Sequence, residues 1–257
     1  MILPQPYYDR DGITIYCGDV LDVLPLFEPE TFGAVVTDPP YSSGGAFRGD
    51  RTQKTVAKYV QSGSQQVRHE FSGDSRDQRA FFAWCSLWLC AARHACTDGA
   101  VLCSFIDWRQ LPVMVDSVQS GGWVWRNIGT WWKPGVRMQR GRFSSSAEYL
   151  IYATNGPHDS DDGECSPQNV FSFQPVTGDE KSHIAEKPVE VVSWAMSVTN
   201  PSETILDPFM GSGTTLVAAK KLGRKAVGIE LDERYCEIAV ERLRQGVFAF
   251  NDTERGE

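Results

Sequence analysis

No two of the seven cysteines are spaced Cys-x-x-Cys, and no histidine cluster stands beside them. Odd in number and scattered among apolar residues, Cys17, Cys85, Cys90, Cys96, Cys103, Cys165 and Cys236 read as reduced, buried thiols of a cytoplasmic protein, with no zinc site expected. No uninterrupted apolar run reaches the length of a membrane span, and Met1 to Arg10 lacks a basic segment followed by an apolar core. Neither a membrane nor a secretory route is expected. A surplus of positive charge is missing too: 25 Lys and Arg stand against 33 Asp and Glu, a net charge of -8. That balance excludes coating nucleic acid by bulk charge, so any such contact has to come from a local basic patch. Internal repeats and low-complexity tracts are absent, and 257 residues suffice for one α/β core with insertions, so residues 1–257 are expected to form a single domain.

What is present centres on Val35-Val36-Thr37-Asp38-Pro39-Pro40-Tyr41. The small apolar residues predict a buried strand, and two prolines, without N–H donors and with φ held near -65°, stop it in a stiff turn. Asp38, a proline carbonyl without a ladder partner, and the flat ring of Tyr41 then lie within four residues. Together they can grip a planar group that carries an NH2, such as a nucleobase with an exocyclic amine.

The surrounding pattern alternates strands and helices. Asp11 to Asp22 predicts a strand closed by a turn that carries Asp19, a natural helix N-cap, with a short apolar segment to Phe27. Asp77 to Cys96 repeats Phe81, Phe82, Trp84, Cys85, Trp88, Leu89 and Ala92 at three- and four-residue steps, an amphipathic helix whose aromatics read as core. Gly99 to Ile106 predicts a buried strand and Arg109 to Ser120 a helix stopped by Gly121-Gly122. Trp123 to Trp132 and Ser146 to Ala153 predict an antiparallel hairpin on the sheet edge, and Thr154 to Asp179 reads as loop with a solvated acidic cluster.

Two windows supply the local basic charge. Residues 42–70 carry Arg48, Arg51, Lys54, Lys58 and Arg68 against only Asp50 and Glu70, either a solvated surface loop or an element that closes over nucleic acid. Residues 133–145 hold Lys133, Arg137, Arg140 and Arg142 beside Gln139, with no acidic residue between Asp116 and Glu148. Glycines there permit close backbone approach, and the side chains supply donors for phosphates and base edges. Either window can also serve solubility alone.

Ser202 to Leu243 reads strand, glycine turn, helix, strand. Gly211 and Gly213 allow a tight turn in which a ligand meets main-chain N–H groups at the helix start, and Glu230 ends the second strand, where a carboxylate can accept ribose hydroxyls. An NAD-dependent oxidoreductase fits this outline. The turn lacks the full Gly-x-Gly-x-x-Gly spacing, however, and Asp207 before it would repel a pyrophosphate while suiting a cationic ligand.

Asp38-Pro39-Pro40-Tyr41 resembles the catalytic motif of the amino-group DNA methyltransferases, which methylate N6 of adenine or N4 of cytosine. Asp207-Pro208-Phe209-Met210-Gly211-Ser212-Gly213-Thr214-Thr215 resembles their cofactor motif, and His183-Ile184-Ala185-Glu186-Lys187-Pro188 the segment before it. The order, catalytic motif first and glycine motif last, is similar to the circularly permuted β class. Glutamine and RNA methyltransferases with a similar tetrad carry it after the glycine motif. The resemblance implies a Rossmann-like, doubly wound, mostly parallel α/β sheet with an antiparallel edge hairpin, and S-adenosyl-L-methionine as cofactor. It places Asp38, Pro39, Pro40 and Tyr41 at the target base, and Asp19, Lys187, Asp207, Phe209, Gly211, Ser212, Gly213, Thr214, Thr215 and Glu230 around the cofactor, with Lys187 at the methionine end and Asp19 on the adenine side. His183 is read as structural. Double-stranded DNA is the implied partner, reached through Lys133, Arg137, Arg140 and Arg142, and a homodimer is a further one. Asp at the first motif position points to adenine, with N4-cytosine as the alternative; none of the fourteen prolines is followed by cysteine, which speaks against C5 methylation. A chain that binds DNA without reacting is the alternative from another class.

Overall fold

A computed structural model describes residues 2–41, 76–136, 140–141, 143–158, 166–174 and 187–251. Nine strands form one sheet: β1 (Tyr8–Arg10), β2 (Ile13–Cys17), β3 (Phe32–Thr37), β4 (Cys96–Ile106), β5 (Val124–Trp132), β6 (Ala147–Thr154), β7 (Val170–Ser172), β8 (Ile205–Asp207) and β9 (Ala226–Glu230). Their spatial order is β1-β2-β9-β8-β3-β4-β6-β5-β7. The central run from β2 through β9, β8 and β3 to β4 is parallel, whereas β6 pairs antiparallel with both β4 and β5. The helices are α1 (Val20–Val23), α2 (Gln78–Ala95), α3 (Leu111–Ser120), α4 (Val189–Met196), α5 (Thr214–Lys221) and α6 (Glu233–Asn251).

Parallel strands in the middle of a sheet are covered on both faces, so they are apolar throughout. All six residues of β3 are buried, and its alternation splits the core in two. Val35 packs with Phe81, Trp88 and Leu89 of α2 and Met114 of α3. On the opposite face Ala34 and Val36 pack with Val191 and Val192 of α4, Leu216 of α5 and Ala239 of α6. Trp88 is wholly buried and its removal would leave a large cavity, costing about 3–5 kcal/mol. α2 begins where Asp77 accepts a hydrogen bond from the Ala80 N–H at 2.9 Å, and Arg93 and His94 in its last turn complement the helix dipole.

The chain leaves β3 through α2 toward β4 and leaves β8 through α5 toward β9, in opposite directions from two adjacent strands. Such a reversal opens a crevice at the carboxyl ends of the strands. The residues that follow β2, β3, β4, β8 and β9 all emerge on this edge, as do the end of β5 and the start of β6.

Several expectations are corrected. The hairpin β5–β6 is not the outer edge, because β7 adds to β5 in parallel from a stretch read as loop. Three residues carry no periodicity; β7 is held instead by its ladder and by Phe171, stacked on Trp194 at 5.5 Å between ring centroids. β1 likewise exists only through its pairing with β2. Cys85, Cys96, Cys103 and Cys236 are buried as expected, but Cys17 and Cys90 are exposed. Burial pushes the Cys85 and Cys103 thiols up to about 12, so they stay protonated. Among the described residues no helix is long and apolar enough to cross a membrane. The window 42–70, Arg137, Gln139, Arg142, Cys165, the acidic cluster and His183 lie outside the described residues.

Candidate active site

β3 ends at Thr37, and Pro39-Pro40 turns the chain across the crevice. The Tyr41 hydroxyl donates to Asp38 Oδ1, and the Lys187 ammonium donates to Asp38 Oδ2 and to the Tyr41 oxygen, each at 2.7 Å. Lys187 lies immediately ahead of α4 and is only 8% exposed. Its ammonium also forms an ion pair with Glu148 Oε2, 3.1 Å away, and Glu148 Oε1 is paired in turn with Lys133. Burial lifts the Asp38 carboxyl above its ordinary range, and Lys187 and the Tyr41 hydroxyl only partly oppose that. Tyr41 is raised well above an ordinary phenol, by burial and then by the Asp38 charge, so it stays a donor. Burial also disfavours the charged form of Glu148, but Lys187 and Lys133 outweigh it and bring the carboxyl down to about 2. Lys187 is held ionised because Asp38 and Glu148 together overcome its own burial.

The two sequence motifs meet directly. The Thr37 hydroxyl, one residue before the Asp38–Tyr41 turn, donates to Asp207 Oδ1 at 2.7 Å. Asp207 ends β8, is 2% exposed, and also accepts from the Phe209 N–H at 3.1 Å. Only hydroxyl and N–H donors reach it among the described residues. Burial therefore dominates and lifts its carboxyl from 3.8 to about 6, against the hydrogen bonds from Thr215, Thr37 and Phe209. A buried carboxylate without a cation beside it is costly, and it is a seat for a positive ligand.

Beyond Asp207 the turn runs through Gly211 and Gly213, both at positive φ. At Gly213 an added Cβ would stand 2.7 Å from the Ala239 Cβ, so glycine lets α5 pack on α6. At Gly211 an added Cβ would meet nothing within 4 Å, which marks open space in front of the turn. The Gly211 N–H donates to Glu230 Oε2 at 3.0 Å, and the Asp232 N–H to Oε1 at 2.9 Å. Burial raises Glu230 above its ordinary range against these N–H groups. Arg242 of α6 donates to the Ser212 carbonyl at 2.7 Å and to the Thr214 hydroxyl at 3.2 Å, clamping the turn from behind.

Phe209 is half-buried and packs against Trp84 and Trp88 of α2, each at 5.1 Å between centroids. The Arg76 guanidinium lies 4.1 Å from the Trp84 ring centroid, near enough to Asp19 for their charges to interact. Asp19 itself is exposed and caps α1 through the Leu21 N–H at 2.8 Å.

The structure thus gathers Asp38, Tyr41, Lys187 and Asp207 into one crevice with the glycine turn and Glu230 on its far wall. Lys187 bonds Asp38 and Tyr41, a contact the resemblance does not imply. Of the cations read as facing DNA, Lys133 is turned inward to Glu148 and lies over the Trp131 ring at 4.4 Å, while Arg140 is exposed. The sequence reading does not place Glu148, Trp84, Arg76 or Arg242 at the site. A signal existed for Glu148, the one charged residue in an otherwise β-rich run, since a charge entering a core strand demands a partner. Trp84 was read as core, and one helical face cannot reveal which of its rings meets a distant turn.

An acceptor turn for an amine, joined by one hydrogen bond to an acidic crevice, suits group transfer from a cationic donor to a nucleobase amine. Comparison with known proteins agrees. The sequence profile of the N6/N4 methyltransferase family, described as DNA methylase, matches residues 32–241. The type II methyltransferase M.ScaI of Streptomyces caespitosus is 25% identical over 94% of this chain and 84% of its own length. The crystal structure of the M1.HpyAVI–SAM complex superposes with a TM-score of 0.65 at 21% identity, covering 90% of this chain and 98% of the other. PvuII DNA methyltransferase, described as cytosine-N4-specific, gives a TM-score of 0.68 at 17% identity over 93% of this chain and 88% of its own. The fold is therefore the Rossmann-like methyltransferase fold, and the chain belongs to the N6/N4 DNA methylase family.

Proposed function

We propose that this chain, as one methyltransferase unit, moves a methyl group from S-adenosyl-L-methionine to N6 of adenine in double-stranded DNA. The observation that carries the reading is the 2.7 Å bond from Thr37 to Asp207, which sets an amine-acceptor turn beside a buried carboxylate that no cation pairs with among the described residues. The residues fit the cofactor: Asp207 and the turn from Gly211 to Thr215, including Ser212 and Thr214, would hold its charged part, Glu230 its ribose hydroxyls, and Phe209 and Asp19 its adenine side. Lys187, which bonds Asp38 and Tyr41, would border the cofactor's methionine end. When bound, the cofactor supplies an electrophilic methyl group.

The chain's own residues then have to make a poor nucleophile competent. An exocyclic amine is weakly nucleophilic because its lone pair is delocalised into the ring. Asp38 and the Pro39 carbonyl accept hydrogen bonds from the NH2, favouring a pyramidal nitrogen, while the ring of Tyr41 supports the flipped base. No side chain needs to attack; orientation and electrostatics carry the step. Arg140, with Arg137 and Arg142, would contact phosphates along the β5–β6 connection.

Asp at the first motif position supports adenine. N4-cytosine is the second reading, favoured by the fold shared with a cytosine-N4-specific enzyme. The test is incubation with methyl-labelled cofactor and mixed-sequence unmethylated DNA, followed by digestion to nucleosides and mass spectrometry. N6-methyladenine is the expected product. N4-methylcytosine would reverse the base assignment, and absence of any labelled nucleoside would overturn the reading.

A further inference from the structure

Five side chains form an alternating line from the foot of the β5–β6 connection to the catalytic turn: Lys133, Glu148, Lys187, Asp38 and Tyr41. The register of the hairpin brings the first two together, since Trp131 faces Glu148 across the ladder and the Lys133 N–H bonds the Ser146 carbonyl at 2.8 Å. Each oxygen of Glu148 faces a different lysine, Oε1 Lys133 and Oε2 Lys187. Lys187 donates to Asp38 and to Tyr41, each at 2.7 Å, and its ammonium forms an ion pair with Glu148 at 3.1 Å. A lysine has a long, flexible stem, so a second carboxylate opposite Asp38 fixes where its charge sits.

We propose that Glu148 is a positioning residue: standing between two lysines, it holds Lys187 against Asp38 and sets how strongly the Asp38 carboxylate accepts a hydrogen bond from the target amine. The inference rests on Asp38 being the amine's acceptor. Acceptor strength falls as a carboxylate is surrounded by more positive charge. Glu148 takes up part of the field of Lys187 and nearly all that of Lys133, leaving Asp38 to share one ammonium. Without Glu148, Asp38 would face two cations; without Lys133, two carboxylates would compete for Lys187.

The other groups around Asp38 do not supply this balance. Asp107, at the end of β4, is paired with Arg109 at 3.0 Å. Asp207, at the end of β8, bonds Thr37, and Tyr41 is a donor held by Asp38 itself. Among the described residues Glu148 is the carboxylate other than Asp38 that pairs with Lys187, and with Lys187 buried and Glu148 half-buried the contact is only partly screened.

The two outer charges therefore have opposite signatures. In protein carrying 13C-carboxyl aspartate, with the Asp38 signal identified by its loss in Asp38→Asn, Glu148→Gln should lower the Asp38 titration midpoint by on the order of one pH unit. Lys133→Gln should raise it, and the double variant should return it toward wild type. The acid limb of kcat for DNA methylation should follow the same directions, with kcat in Glu148→Gln reduced about tenfold or more and KM for DNA held within about twofold. Midpoints that coincide, that move together in both single variants, or a loss confined to KM would overturn the proposal. Should Glu148→Gln not fold, the rise expected in Lys133→Gln against wild type decides the proposal alone. A wild-type protein that methylates no DNA would overturn the reading of function instead, while the carboxyl midpoints would still decide the place of Glu148.

Discussion

Asp207 shows how a single buried residue can work against stability, which on the proposed reading it does to seat a cationic cofactor. Its carboxyl is raised from 3.8 to about 6, so the stability it contributes is complete below 3.8 and is lost as pH rises through 6. At pH 8 the cofactor-free protein carries an ionised, buried group worth about 2–3 kcal/mol of destabilisation. Asp207→Asn should therefore raise the Tm at pH 8 and leave it nearly unchanged at pH 4. It should also abolish the further stabilisation that S-adenosyl-L-methionine gives to wild type, which a thermal melt with and without the cofactor reads directly. The residue's place at the end of a strand and its suitability for a cation were legible in Leu-Asp-Pro-Phe. Its bond to Thr37 was not, because 170 positions separate the two and nothing local records which strands become neighbours.

Among the elements, the turn from β8 into α5 depends on two glycines for different reasons. Gly213→Ala places a methyl 2.7 Å from Ala239 at a φ of 81°, so α6 must shift, and unfolding experiments should show a loss of about 2–4 kcal/mol. Gly211→Ala meets no neighbour within 4 Å and should cost only about 1 kcal/mol of backbone strain. Its methyl enters the open space before the turn, so cofactor affinity should fall at least tenfold while the fold survives. Equal losses of stability in both variants would contradict this division. Elements with their own periodicity, such as α2, or with punctuation, such as β3 with its prolines, could be read from the chain. Elements defined by their partners could not. β1 and β7 are three residues each and owe their conformation to β2 and β5, and Lys133 reads as a surface cation until the β5–β6 register sets it beside Glu148.

At the scale of the whole molecule, an acidic chain has to approach a polyanion, and the β5–β6 connection leaves the sheet on the same edge as the catalytic turn. Arg140 is exposed there, while Lys133 is committed to Glu148. Arg140→Ala should reduce the salt slope of DNA binding by about one and weaken all sequences alike, and Lys133→Ala should leave that slope nearly unchanged. A slope that responds to Lys133 alone would place the DNA elsewhere. Motif order revealed the class of fold, and the crossovers on either side of β3 and β8 explain why the two motifs share one crevice despite their distance in sequence. The most direct test of that crevice is single-turnover methyl transfer by Asp38→Asn at saturating S-adenosyl-L-methionine, with saturation set by calorimetric titration of the same variant. Cofactor affinity within a few-fold of wild type and a transfer rate reduced about a thousandfold or more are the expected results. Transfer at the wild-type rate would remove Asp38 from the chemistry, and loss of cofactor binding would contradict the separation of amine acceptor from cofactor seat.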